Sequence, residues 1–217
     1  MTALPHYLNP DWYEQIDQHH ALISSHTDWR IVGDRQGVRS AILVRTDEPD
    51  YVACHAMLPV AADTLAAYLI DDILTTLGEW NPLYTGGRVL ATSSVARLLH
   101  LEFRSAGPLI ARRDNLIAVA RVAHPDGTIC ELSADDQHTA FPPAPGVVRM
   151  LLPFASKQIT PLTDATCTYS VIWQTDPGGR LSYLPQRLLT RLVLNDLQGE
   201  LRRLKQRFAQ GTLSQST

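Results

Sequence analysis

The fold turns on residues 184–208, LPQRLLTRLVLNDLQGELRRLKQRF. Leu188, Leu189, Leu192, Val193, Leu197, Leu201, Leu204 and Phe208 recur at the spacing of one face of an α-helix. The stretch is therefore predicted to be one long amphipathic helix from about Leu184 to Phe208. The turn cluster Asp176-Pro177-Gly178-Gly179 introduces it, and a short polar tail, residues 211–217, follows. Gly199 in its interior costs about 1 kcal/mol relative to alanine, which a long, well-packed helix absorbs. A helix with one apolar stripe needs a surface on which to bury it.

The residues before it supply that surface. Trp29 to Val32, Val38 to Arg45 and Tyr51 to Leu58 are rich in β-branched and aromatic residues. Gly33-Asp34-Arg35-Gln36-Gly37 and Asp47-Glu48-Pro49-Asp50 separate them, as turns separate antiparallel strands. Further strands are predicted at about Val89 to Val95, Leu98 to Arg104, Asn115 to His124, Thr128 to Gln137, Val147 to Lys157 and Thr166 to Thr175. Two shorter helices complete the plan. One opens at Asn9-Pro10-Asp11, with Trp12, Ile16 and Ile23 on one side, and runs to about Ser25. The other carries Leu65, Leu69, Ile73 and Leu77 until Gly78 stops it before Trp80-Asn81-Pro82. This order gives an α+β fold whose antiparallel sheet curls around the C-terminal helix and leaves room for an internal cavity.

The chain has 217 residues, 45% hydrophobic and 19% charged, which fits a single domain over residues 1–217 with its core at about 10–210. A net charge of −3 argues against a nucleic-acid binder held by a general positive field. No apolar run approaches the roughly 20 residues that cross a bilayer. The first ten residues do not read as a secretory signal, so a cytoplasmic location is expected. Cys54, Cys130 and Cys167 have neither disulfide-framework nor zinc spacing and are expected to be reduced. His6, His19-His20 and His26 lack a second ligand at i,i+4, so no metal is expected. Gly86-Gly87 and Gly178-Gly179 sit in no phosphate-binding motif, no GxSxG elbow occurs, and no cofactor is expected.

Several stretches in order resemble the START family, the steroidogenic-acute-regulatory-related lipid transfer domains. They are Asp28-Trp29 with Gly37-Val38, Gly78-Glu79-Trp80-Asn81-Pro82, Arg113-Asp114, Gly127, Gly146-Val147-Val148-Arg149, Asp176-Pro177-Gly178-Gly179 and Leu184-Pro185. The match runs from about Trp12 to Phe208. It implies a helix-grip fold: a curved antiparallel β-sheet around a long C-terminal α-helix with a lipid-sized internal tunnel. It also implies non-catalytic binding, transfer or sensing of a lipid or other hydrophobic small molecule. Some sterol-binding members carry a buried acid and arginine on neighbouring strands. By register those positions fall here at Leu101 and Val119, both apolar, which weakens any transfer of sterol specificity.

Strict alternation in Leu99 to Arg104 puts Leu99, Leu101 and Phe103 on one face, the interior one. They line either a tunnel or a packed core. The next strand offers two interior faces, Leu116, Ala118, Ala120 and Val122 or Ile117, Val119 and Arg121, and the family register selects the second. Arg121 then needs a carboxylate or ligand partner, for which Glu131 and Tyr169 are candidates, or else it reaches water at the strand end. Trp173, Leu188 and Leu192 complete the expected ligand-binding set. The resemblance makes Ser105 to Arg112 a mobile loop at the tunnel entrance. Leu109 and Ile110 are its gate residues, either resting on the C-terminal helix or, beside Arg104, Arg112 and Arg113, making transient contact with an anionic membrane surface. The alternative class is a helix-grip enzyme of the polyketide cyclase/aromatase type, for which His55, His138, Glu131 and Tyr169 are the candidate residues.

Overall fold

The structure, a computed structural model, describes residues 11–108, 110–136 and 141–214, the last four of these by backbone alone. The cap at Asn9-Pro10 and the residues His6, Leu109 and His138 lie outside the described residues. In chain order the elements begin with α1 (Asp11–Ser24), β1 (Arg30–Arg35), β2 (Val38–Leu43) and β3 (Tyr51–Leu58). A broken helix follows: α2 (Ala62–Ala66), a π-helical turn (Ala67–Asp71) and α3 (Ile73–Trp80). Next come β4 (Tyr84–Thr92), β5 (Arg97–Phe103), β6 (Arg112–Ala123), β7 (Ile129–Asp135), β8 (Val147–Arg149), β9 (Leu151–Thr163) and β10 (Thr166–Asp176). A 3₁₀-helix (Gly179–Tyr183) leads into α4 (Gln186–Ser214).

Among the described residues the ten strands belong to one sheet in the order β1-β2-β3-β10-β9-β7-β6-β5-β4, with β8 attached to β6. Every pairing is antiparallel except β8 with β6. That exception explains why the single predicted run Val147 to Lys157 is divided. Arg149 is registered with Asp114, the Met150 N–H donates to the Asp114 carbonyl at 2.8 Å, and the chain then changes partner to β10 and β7.

The second helix departs further from expectation. Leu65, Leu69, Ile73 and Leu77 are spaced by four residues, whereas an α-helix turns every 3.6, so a regular helix would rotate this stripe off the sheet. The π-helical turn absorbs the excess, and all four leucine and isoleucine side chains are buried. The backbone carbonyls at the break find a cation on the sheet: Arg97 donates from Nη2 to the Ile70 carbonyl at 2.7 Å and from Nη1 to the Asp71 carbonyl at 3.4 Å. Gly78 does not stop the helix, which continues to Trp80 and closes with the Asn81 N–H on the Leu77 carbonyl.

Apolar residues cover both faces of the sheet. On the outer face Trp12, Ile16 and Ile23 of α1 pack with Leu98, Leu116, Ala118, Leu132 and Phe154. On the inner face Leu65, Leu69 and Ile73 join Leu197, Leu201 and Leu204 of α4 against β2, β3, β5, β6, β9 and β10. Burying each such leucine contributes roughly 2 kcal/mol. α4 rests mainly on β3 and β2, α2 on β9, β10 and β7, and α3 on β4. The approach to α4 is set by a tight turn. Gly178 has φ +69°, and a Cβ there would stand 2.6 Å from the Arg149 carbonyl oxygen, so only glycine fits.

Candidate functional site: the grip between sheet and last helix

Cross-strand register fixes which side chains look into the grip. Val52, Trp173, Ala155, Ser133 and Val119 form one inward row across β3, β10, β9, β7 and β6. One step deeper lies the row Ser40, Cys54, Val171, Lys157, Glu131 and Arg121. The inner face of β6 is therefore Ile117 and Val119, the face selected by the family register, while Leu116, Ala118 and Ala120 face α1.

Leu101, Ile117 and Val119 are buried in the inner cluster, with Phe103 and Trp173 packed on it. The open space lies elsewhere. One cavity of about 300 Å³ sits under the first two turns of α4, between Leu189, Thr190 and Val193 and the β2–β3 loop, with Val52 at its floor. A second of about 310 Å³ is lined by Ile110, Ala111, Arg113, Val148 and the 3₁₀-helix. Neither touches Leu101, Phe103, Ile117, Val119 or Trp173. Leu188 and Leu192 are 43% and 46% exposed, one residue out of phase with the helix face that meets the first cavity. The leucine and valine of α4 that border this cavity are Leu189 and Val193. In the expected gate loop, Ile110 faces Gly179, Arg180 and Leu181 rather than α4 itself. Arg113 donates to the carbonyls of Pro177 and Ala111, both at 2.9 Å, and so braces that loop against the turn before α4.

Arg121 finds a carboxylate partner, though neither of the two residues weighed for it. Its Nη1 lies 2.6 Å from Asp71 Oδ2 at the rim, where both side chains are about 40% exposed. Glu131, weighed as its partner, bonds instead to Lys157, with Nζ 2.6 Å from Oε1, and the Ser133 hydroxyl donates to the same oxygen at 3.2 Å. Tyr169 is fully enclosed, and burial, with Glu131 and Glu200 nearby, raises its pKa further above the ordinary phenol value. His55 lies on the other side of the sheet, its Nδ1 2.8 Å from the Ser170 hydroxyl. Of the candidate acid–base residues, Glu131 and Tyr169 are therefore neighbours on the inner face, and His55 does not join them.

Glu200, on the apolar stripe of α4, went unnoticed in the sequence. It is 1% exposed and accepts a hydrogen bond from Asn81 Nδ2 at 2.7 Å. Burial, with Asp196 adding to it, pushes its pKa up to about 8, so the carboxyl is mostly neutral at pH 7. On the outer face Asp114 is held by Arg149 through Nε and Nη2 at 2.8 and 3.0 Å and by His100 Nε2 at 3.0 Å. Burial alone would raise its pKa, but these bonds and charges outweigh it and hold the carboxyl below its usual range.

Among the described residues no cluster of side chains suited to a metal ion occurs, and no helix is long and apolar enough to cross a membrane. The sequence matches no protein-family model and no curated protein. Solved structures do match. Human StAR-related lipid transfer protein 5 superposes with a TM-score of 0.80 at 19% identity, over 92% of this chain and 95% of that one. Human STARD10 gives 0.78 at 17% identity, over 89% and 78%. A STAR-related lipid transfer protein of Xanthomonas axonopodis gives 0.69 at 19% identity, over 84% and 99%. The chain has the helix-grip fold of these lipid transfer domains.

Proposed function

We propose that this chain encloses a hydrophobic ligand, a lipid, between its sheet and α4 and exchanges it at a membrane surface without catalysing a reaction. The observation that carries this reading is the uneven seating of α4. Leu197, Leu201 and Leu204 are each 1% exposed and clamp its middle, whereas the segment before them borders both cavities and leaves Leu188 and Leu192 uncovered. Each cavity is at the lower end of ligand-pocket volumes. A lipid-sized occupant therefore enters when the 3₁₀-helix and the first turns of α4 lift, with Gly178 and Gly179, both at positive φ, as the hinge. The likeness to human StAR-related lipid transfer protein 5 and to the Xanthomonas axonopodis lipid transfer protein supports the same reading.

The uncovered segment suits an anionic membrane. Tyr183, Leu188 and Leu192 are exposed apolar or aromatic residues, and Arg180, Arg187 and Arg191 are exposed beside them. Each cation contributes about 1 kcal/mol near anionic headgroups. Replacing Leu188 and Leu192 together with aspartate is expected to slow transfer of a naturally fluorescent sterol and a pyrene-labelled phospholipid between phosphatidylserine-containing vesicles by about tenfold. Circular dichroism should be unchanged, because neither residue is in the core. Raising the salt should slow the unmodified protein as well. Unchanged transfer by the folded double variant would remove the membrane contact, and failure of the unmodified protein to take up either probe would count against ligand binding itself.

A further inference from the structure

We propose that the cavity between the loop before β6 and the 3₁₀-helix is a second binding site, one that takes a phosphate monoester on an apolar stem. It shares no lining residue with the cavity under α4, and its charge is the opposite one.

The cavity under α4 is bordered by Asp47, Glu48, Asp50 and Asp176 and by no cation. The second cavity is bordered by Arg113 and Arg180 and by no acid. Among the described residues neither guanidinium is paired with a carboxylate. The acids nearest to them along the chain are engaged elsewhere. Asp114 holds Arg149 and His100, and Asp176 accepts from the Gly178 N–H and the Ser182 hydroxyl. Arg113 is half-buried, and burial lowers its pKa with no neighbouring charge to offset the effect. A guanidinium stays protonated nonetheless, so Arg113 is a partly desolvated cation without a counter-ion. Its Nε and Nη1 donate to the carbonyls of Pro177 and Ala111, which fixes the plane of the fork. Among the described residues its Nη2 donors have no partner, and Arg180 makes no hydrogen bond. One guanidinium is thus held in place and the other is free to swing onto the same anion.

The walls narrow the occupant. A phosphate monoester carries a charge of about −1.5 to −2 at pH 7 and three acceptor oxygens, enough for two guanidinium groups at once. A carboxylate brings a single charge and matches one fork, and a neutral head brings no charge. The remaining side chains at the cavity, Ile110, Ala111, Val148 and Leu181, are apolar and suit a hydrocarbon stem. A volume of about 310 Å³ admits a small stem or the end of a longer one. Two sources offer this group, a soluble ester and the headgroup of phosphatidate in a membrane. Once bound, it joins the loop before β6 to the 3₁₀-helix.

The experiment titrates the full chain with phenyl phosphate by isothermal calorimetry, with benzoate and benzyl alcohol as the singly charged and neutral probes. Phenyl phosphate should bind roughly tenfold or more tightly than either. Arg180→Met should weaken it by about tenfold, the usual cost of one charge-assisted contact. Because Arg180 bonds to no other described residue, this variant tests the site even if Arg113→Met fails to fold. Amide hydrogen exchange should slow on binding in the 3₁₀-helix and at the start of β6. Flotation with vesicles containing either phosphatidate or phosphatidylserine identifies the source. A preference for phosphatidate that phenyl phosphate abolishes supports the site with a lipid headgroup in it. Equal flotation, with calorimetric binding intact, supports it with a soluble ester. No heat at millimolar phenyl phosphate, equal binding of benzyl alcohol, or unchanged affinity in Arg180→Met would overturn the proposal. Lipid uptake in the grip is a separate readout that none of these results decides.

Discussion

Replacing Asp114 with alanine is expected to destabilise the fold by about 3–5 kcal/mol, the usual cost of removing one partner from a buried ion pair. Asp114 is 3% exposed and receives two bonds from Arg149 and one from His100. Without it the guanidinium of Arg149 keeps, among the described residues, only the Phe141 carbonyl at 2.9 Å, and the three-residue strand β8 loses the side-chain link to β6 that adds to its parallel ladder. Asp114→Asn, which keeps the shape and one acceptor oxygen, should cost less. Urea unfolding of the three proteins at pH 7 measures this, and a loss below 1 kcal/mol for the alanine variant would show that the triad does not hold β8 to the sheet.

Glu200→Gln should stabilise the protein at pH 8 by roughly 2–4 kcal/mol and leave it within about 1 kcal/mol at pH 5. The folded carboxyl titrates near 8 and the unfolded one near 4.5. Between those values the folded state holds a proton that the unfolded state has released, so stability falls as pH rises through this window. Glutamine keeps the oxygen that accepts from Asn81 and removes the titration. Asp135, pushed up to about 6 mainly by burial, contributes a similar fall that is complete near pH 6. His19, His20 and His55 are shifted down, chiefly by burial, and their contribution rises with pH and ends near 6.5. Asp196, also raised by burial, is common to both proteins, so the difference between their curves from pH 6.5 to 8 reports Glu200. Parallel stability curves for the two proteins over that interval would contradict a buried, neutral Glu200.

The grip itself was legible because its parts are repetitive. Period-two runs mark the strands, an apolar stripe marks α4, and Gly178-Gly179 marks the turn between sheet and helix. Details that depend on a neighbouring element were not. The π-helical turn arises from packing a four-residue spacing onto a sheet, and the bordering of the first cavity by Leu189 and Val193 depends on how α4 is rolled on β3. α4 also continues six residues beyond Phe208. The buried charged residues of the inner face did leave a trace. Lys157 alternates with Ala155 and Ile159, Glu131 with Ile129 and Ser133, and Glu200 sits between Leu197, Leu201 and Leu204 in the helical stripe. A charged residue in phase with buried apolar ones is the available signal, but sequence does not show that Glu131 meets Lys157 rather than Arg121. The sheet order sets Glu131 in register with both, since β7 lies between β6 and β9, and Lys157 takes it because Arg121 turns to Asp71 on the π-helical turn.

The claim on which the rest depends is that the grip holds a lipid. Native mass spectrometry of the 24.1 kDa chain after incubation with vesicles of total lipid extract tests it most directly. The expected spectrum shows the polypeptide plus one lipid mass, released by organic extraction and recovered as a single lipid class. A spectrum of the bare polypeptide, with no lipid in the extract, would contradict it.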